Sequence, residues 1–190
     1  NNKIVGAVDT TSLRTSESTI ALGQLAGSTS QGGNTVAIGN LAGRTTQSYG
    51  ATAVGASAGS VTQGEQAIAV GNSAGYTGQG ANSIAIGVSA GANTQGEYGI
   101  AIGFQAGAAN QAANSIVINA TGSTVQNTQA SSLVIKPIRS AASANVMMYD
   151  AASGEVTQTA TPGTLAADID KAALAIGAAT ATTIGIGNAG

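Results

Sequence analysis

Residues 84–99 read Ile84-Ala85-Ile86-Gly87-Val88-Ser89-Ala90-Gly91-Ala92-Asn93-Thr94-Gln95-Gly96-Glu97-Tyr98-Gly99, and the same frame recurs on both sides of this stretch. Gly23, Gly39, Gly55, Gly71, Gly87 and Gly103 stand 16 residues apart. Ala21, Ala37, Ala53, Ala69, Ala85 and Ala101 precede them by two places, and Ala26, Ala42, Ala58, Ala74, Ala90 and Ala106 follow by three. Gln31, Gln47, Gln63, Gln79, Gln95 and Gln111 complete the unit. Self-similarity at a fixed short period is the mark of a repeat architecture. A β-branched/Ala alternation punctuated by Gly reads as strand, corner, strand, and a helical hairpin would not tolerate two fixed glycines in so short a unit. The expectation is an all-β chain: a β-solenoid of 16-residue coils, with coils about 4.8 Å apart and a regular block roughly 30 Å tall.

The array spans 20–122. A last copy opens at Ile116-Val117-Ile118, but Asn119 takes the glycine slot. Residues 1–19 form a lead-in or degraded first coil, in which Ile4 falls 16 places before Ile20. A β-rich connector follows over 123–160. Residues 161–190 hold a short helix over Thr164–Ile176 and, at Ile184-Gly185-Ile186-Gly187-Asn188, the opening of a further β module. The chain begins at Asn1 without a methionine or signal-peptide character, as expected of a processed product or a piece of a longer polypeptide.

Composition narrows the function classes. Among 190 residues, aromatics are 3% and charged residues 7%, while apolar residues, mostly Ala, Ile and Val, make up 43%. Such a chain builds thin layers rather than one thick core. Six Lys and Arg give no basic stripe for a phosphate backbone, so no nucleic acid is expected. No apolar run approaches the ~20 residues needed to span a bilayer, so no membrane insertion is expected. Cys and His are both absent, which removes disulfides, thiolate metal sites and His-based catalysis. Arg44, Glu65 and Glu97 are the only charged residues between 20 and 119, too few to line a glycan-cleaving groove. The expectation is no enzyme, no cofactor and no metal. The terminal Gly185-Ile186-Gly187-Asn188-Ala189-Gly190 matches a dinucleotide-binding pattern by letter, without the helix and acidic residue that pattern requires.

Slot-by-slot variation assigns the faces. The first and third slots, Ile84 and Ile86 in the quoted coil, are nearly always Ile, Val or Leu and are expected to point into the coil. The Ala between them barely varies, and its face is expected to lie against another chain. Ordering 16 backbone residues per coil costs more than two buried aliphatic side chains return, so an obligate oligomer follows. The repeated Gln is expected to form an amide ladder along the stack, and the fixed Gly to supply corners. Residues that break the pattern, Arg44, Tyr49, Tyr76, Tyr98 and Phe104, are the candidate surface contacts. Asn119-Ala120-Thr121 fits the N-glycosylation pattern.

Asn82-Ser83-Ile84-Ala85-Ile86-Gly87 with Ser89-Ala90-Gly91 resembles the head repeats of trimeric autotransporter adhesins of the YadA type, although the coil here is longer than theirs. That resemblance implies a homotrimer of left-handed parallel β-rolls that binds host surfaces. Ala113 to Gly122, Leu133-Val134-Ile135-Lys136-Pro137-Ile138-Arg139, Met148-Tyr149-Asp150 and Ser153-Gly154-Glu155-Val156 resemble fibre proteins of bacteriophages and large DNA viruses. This second resemblance implies a trimeric virion or tail fibre, extracellular, whose partners are other fibre components and a host cell-surface glycan or protein. Two alternatives stand beside it: a bacterial trimeric adhesin head, and a monomeric ice-binding solenoid. The ice-binding reading needs a flat Thr array, whereas the matching slot runs Thr29, Thr45, Val61, Thr77, Asn93, Ala109.

Overall fold

The computed structural model describes residues 13–16, 18–138 and 146–159. Two compact units divide the chain at Ile138/Arg139. The first is a parallel β-solenoid. It opens with β1 (Leu13–Ser16) and β2 (Thr19–Leu22), an antiparallel pair, and then alternates between two sheets. The strands run β3 (Thr29–Gln31), β4 (Val36–Ile38), β5 (Thr45–Gln47), β6 (Thr52–Val54), β7 (Val61–Gln63), β8 (Ile68–Val70), β9 (Thr77–Gln79) and β10 (Ile84–Ile86). They continue through β11 (Asn93–Gln95), β12 (Ile100–Ile102), β13 (Ala109–Gln111), β14 (Ile116–Asn119) and β15 (Leu133–Lys136). The first sheet is β1-β2-β4-β6-β8-β10-β12-β14-β15 and the second is β3-β5-β7-β9-β11-β13. Equivalent slots pair in register, Ala69 with Ala85 and Ala85 with Ala101, so the 16-residue period of the sequence is the circumference of one coil.

Burial reverses the faces expected from the sequence. Ala37, Ala53, Ala69, Ala85 and Ala101 are 0% exposed and meet Ala42, Ala58, Ala74, Ala90 and Ala106 inside the coil. The aliphatic slots that flank them point outward: Ile86 is 40% and Ile102 39% exposed. The reason is width. The two strands of each coil are three residues long in its regular part, and the space between them is already spanned by the repeated Gln. Gln95 Nε2 donates to the Ile84 carbonyl across the coil at 2.8 Å and to the Gly99 carbonyl at 3.1 Å. Only Ala and other small residues fit beside it.

The glutamines also bond along the axis, as the ladder reading expected. Gln31 Nε2 donates to Gln47 Oε1, Gln47 to Gln63, Gln79 to Gln95 and Gln95 to Gln111, at 3.1–3.3 Å. The step from Gln63 to Gln79 is open, and Gln79 Oε1 is buried without a partner. Two glycine slots exist because of this packing. A Cβ on Gly59 (φ +50°) would sit 2.6 Å from Gln63 Oε1, and one on Gly71 (φ +131°) 2.5 Å from the Gly87 carbonyl oxygen of the next coil. Left-handed backbone also recurs at three further slots per coil, filled by Ser57, Thr62 and Gln66 in one coil and by Gly50 and Gly78 at two of the equivalent positions in others.

The first sheet runs beyond 122, through β15, in a stretch the sequence assigned to the connector. The return from Ile116 to its partner Leu133 takes 17 residues rather than 16. In this longer coil Val125 bridges to Ala106 and is buried over the end of the alanine core.

The second unit is described as a hairpin of β16 (Val146–Tyr149) and β17 (Val156–Thr159). Its turn is closed by the Asp150 carboxylate, which accepts the Ala152 N–H at 2.8 Å and the Ser153 N–H at 3.4 Å. The Ala152 bond first, then those of Ser153, hold the Asp150 carboxyl below the ordinary aspartate range. The helix expected over 164–176 and the β module expected from 184 lie outside the described residues. Among the described residues there is no helix.

Gln95→Leu keeps the volume and removes the donor to two carbonyls. We expect it to lower unfolding free energy by about 2–4 kcal/mol, read as an earlier urea midpoint, whereas Gln31→Leu at the half-buried end should cost under about 1 kcal/mol. At the hairpin, a depressed folded pKa means that the carboxylate supports the turn at neutral pH and that this support is lost as pH falls through the lowered value. An NMR titration should give Asp150 a midpoint below that of an unstructured aspartate, and Asp150→Asn should remove the acid transition from the hairpin amides.

Candidate functional site

The five pattern-breaking residues do not converge. Tyr49 lies in the turn between β5 and β6 and Tyr98 in the turn between β11 and β12, three coils or roughly 14 Å apart along the stack. Arg44 and Tyr76 enter β5 and β9, two coils apart. Phe104 lies past β12, in the same first-to-second-sheet crossing as Arg44 and Tyr76 and on the edge opposite Tyr49 and Tyr98. Tyr76, Tyr49, Tyr98 and Phe104 are all exposed, and Arg44 is half-buried. Tyr49 is the most fixed of them: Asn34 Nδ2 donates to its hydroxyl oxygen at 2.6 Å, and its ring lies beside Gly33. These are separate groups, four exposed and one half-buried, spread over different coils.

The larger feature is the outer face of the first sheet. Because Ala turns inward, two columns of side chains cover this face: Ile20, Val36, Thr52, Ile68, Ile84, Ile100, Ile116 and Leu133 in one, and Leu22, Ile38, Val54, Val70, Ile86, Ile102, Ile118 and Ile135 in the other. All are exposed or half-buried. Eight strands about 4.8 Å apart make a stripe roughly 34 Å long. A contiguous exposed apolar stripe of this kind is the surface feature that marks an interaction face. Val88 and Phe104, on neighbouring coils, widen it at one edge. The sequence carried this signal in the persistence of Ile and Val at both slots, read there as interior.

The second sheet presents a different surface. Thr45, Thr46, Thr62, Thr77, Asn93 and Thr94 are exposed or half-buried on it, and it carries no charged side chain within its strands. Among the described residues no group of three His, Cys, Asp or Glu could hold a metal ion, and no helix is long and apolar enough to cross a membrane.

The glycosylation pattern at Asn119 meets a structural obstacle. Asn119 is buried; its Nδ2 donates to the Phe104 carbonyl at 2.6 Å and the Ser123 carbonyl at 2.7 Å, and its Oδ1 accepts from the Thr121 amide and hydroxyl. This amide closes the last coil and has no room for a sugar.

Compared with family models, with curated proteins and with solved structures, the chain matches none of them.

Expressed in a glycosylating host, the folded chain should retain its unmodified mass at Asn119. Asn119→Ala should cost about 1–3 kcal/mol through the carbonyls it leaves unpaired, measured by thermal or urea unfolding.

Proposed function

We propose that this chain is a structural and adhesive segment of a homotrimeric extracellular fibre, most consistent with a viral or phage tail fibre that attaches to a host surface. The observation that carries this reading is the continuous Ile/Val face along eight strands, opposite a neutral, hydroxyl-rich face. An apolar stripe of this length is costly in water and is removed from it when copies of the chain pack side by side. Three copies is the number implied by both resemblances. Such packing leaves the second sheet and the edge residues Tyr49, Tyr76 and Tyr98 outward, where many weak contacts to a host glycan or protein add through multivalency.

Shaft-like extension and presentation, rather than chemistry, is the role assigned to the coils. The ice-binding alternative gains no support from the second sheet, where Val61, Asn93 and Ala109 interrupt the threonines.

Light scattering of the full chain should give three times the monomer mass. Ile102→Asp places a carboxylate on the stripe without touching the alanine core, and should yield a folded chain of monomer mass, its β signal preserved by circular dichroism. A wild-type chain that is a stable monomer would overturn the reading.

A further inference from the structure

Side-by-side association through a repeated face has a difficulty of its own. Sliding one copy along another by a single coil brings Ile and Val back onto Ile and Val, and forfeits only one rung in eight. Apolar contact alone therefore selects the alignment weakly. One position differs in kind. In the column Ile20, Val36, Thr52, Ile68, Ile84, Ile100, Ile116, Leu133, the third member carries a hydroxyl.

Thr52 is well fixed. Its backbone pairs in register with Val36 and Ile68, its amide donates to the Ala67 carbonyl at 2.9 Å, and its carbonyl accepts from Gln63 Nε2 at 2.8 Å. Its side chain is half-buried on the outer face, and among the described residues its hydroxyl makes no hydrogen bond. The neighbouring outer residue on that strand is Val54, and Val70 follows it, so the stripe is narrower at this level than at Ile86 and Ile102.

We propose that Thr52 sets the axial register in which copies of this chain associate, an inference that rests on the assembly face proposed above. With copies in register, the Thr52 hydroxyls lie at one level and can bond one another. After a one-coil slip each is pressed against Val36 or Ile68, where a buried hydroxyl has no partner. A single polar layer in an otherwise apolar seam specifies register in coiled coils by the same physics.

The chain contains no cysteine, so inter-copy disulfides report register directly, since bridging needs Cβ atoms about 3.5–4.5 Å apart. Full-length chains carrying Ile84→Cys would be co-refolded with size-tagged chains carrying a single cysteine on the same rung (Ile84→Cys or Ile86→Cys) or one rung away (Ile68→Cys, Val70→Cys, Ile100→Cys or Ile102→Cys). Same-rung disulfides should exceed next-rung ones by about tenfold or more, the ratio that a 1.4 kcal/mol preference produces. Thr52→Val, which replaces the hydroxyl by a methyl at constant shape, should bring the two yields to within about twofold of each other, and Thr52→Ser should keep the wild-type preference. An unchanged preference in Thr52→Val, in chains that still associate, would overturn this proposal and leave the assembly face intact. A monomeric wild-type mass with no disulfide from any pair would overturn both.

Discussion

The bond from the glutamine side chain to the main-chain carbonyl across the coil sets the dimensions of everything else. At Gln47, Gln63, Gln79, Gln95 and Gln111 one amide reaches from the second sheet to the first, so the sheets are held at the length of a glutamine. The amide needs a neighbour without a side chain, hence Gly43, Gly59, Gly75, Gly91 and Gly107. Beside the repeated glutamines it leaves room for little more than alanine, hence the twin alanine columns, with Val117 and Val125 entering only at the end of the stack. The coil is thus bound internally by hydrogen bonds more than by apolar volume. Its bulky aliphatic residues, denied the interior, end on the outside.

Much of this was legible in the sequence. The 16-residue spacing of Gly, Ala and Gln gave the circumference, the strands and the axial ladder before any coordinates. The orientation of the first-sheet strands is the reverse of the one their hydrophobicity suggests. Hydrophobicity ranks Ile86 above Ala85 for burial, so Ile was placed inside. What distinguishes the interior here is confinement. Ala85 and its equivalents are Ala in six copies, with Val117 only at the end of the array, because there is little space for change, while the flanking slots drift among Ile, Val, Leu and Thr because their surroundings are roomier. The eighth rung of the first sheet was missed for a different reason: Leu133 falls one residue out of phase, and a strict period cannot see it.

The candidate contact residues were harder. Tyr49, Tyr76, Tyr98, Phe104 and Arg44 break the pattern, and all four of these aromatic side chains are exposed. A linear repeat does not gather such breaks as a globular fold can, because each stays on its own coil and edge. The stripe, in contrast, is assembled by the repeat itself. Every coil adds the same two outward positions, and of these only position 52 carries a hydroxyl.

The in-register pairing of identical coils also bears on how such a chain can change length. Each interior coil meets only the coil before it and the coil after it, through the same Gly, Ala and Gln contacts. Duplicating or deleting one whole coil in the gene would therefore reproduce contacts already present, while losing or gaining a single residue within a strand would turn its alanine or glutamine out of the core. Reach is inherited in steps of one coil, about 4.8 Å each, so a lineage could lengthen or shorten this rod by recombination between its own repeats without having to reinvent its core.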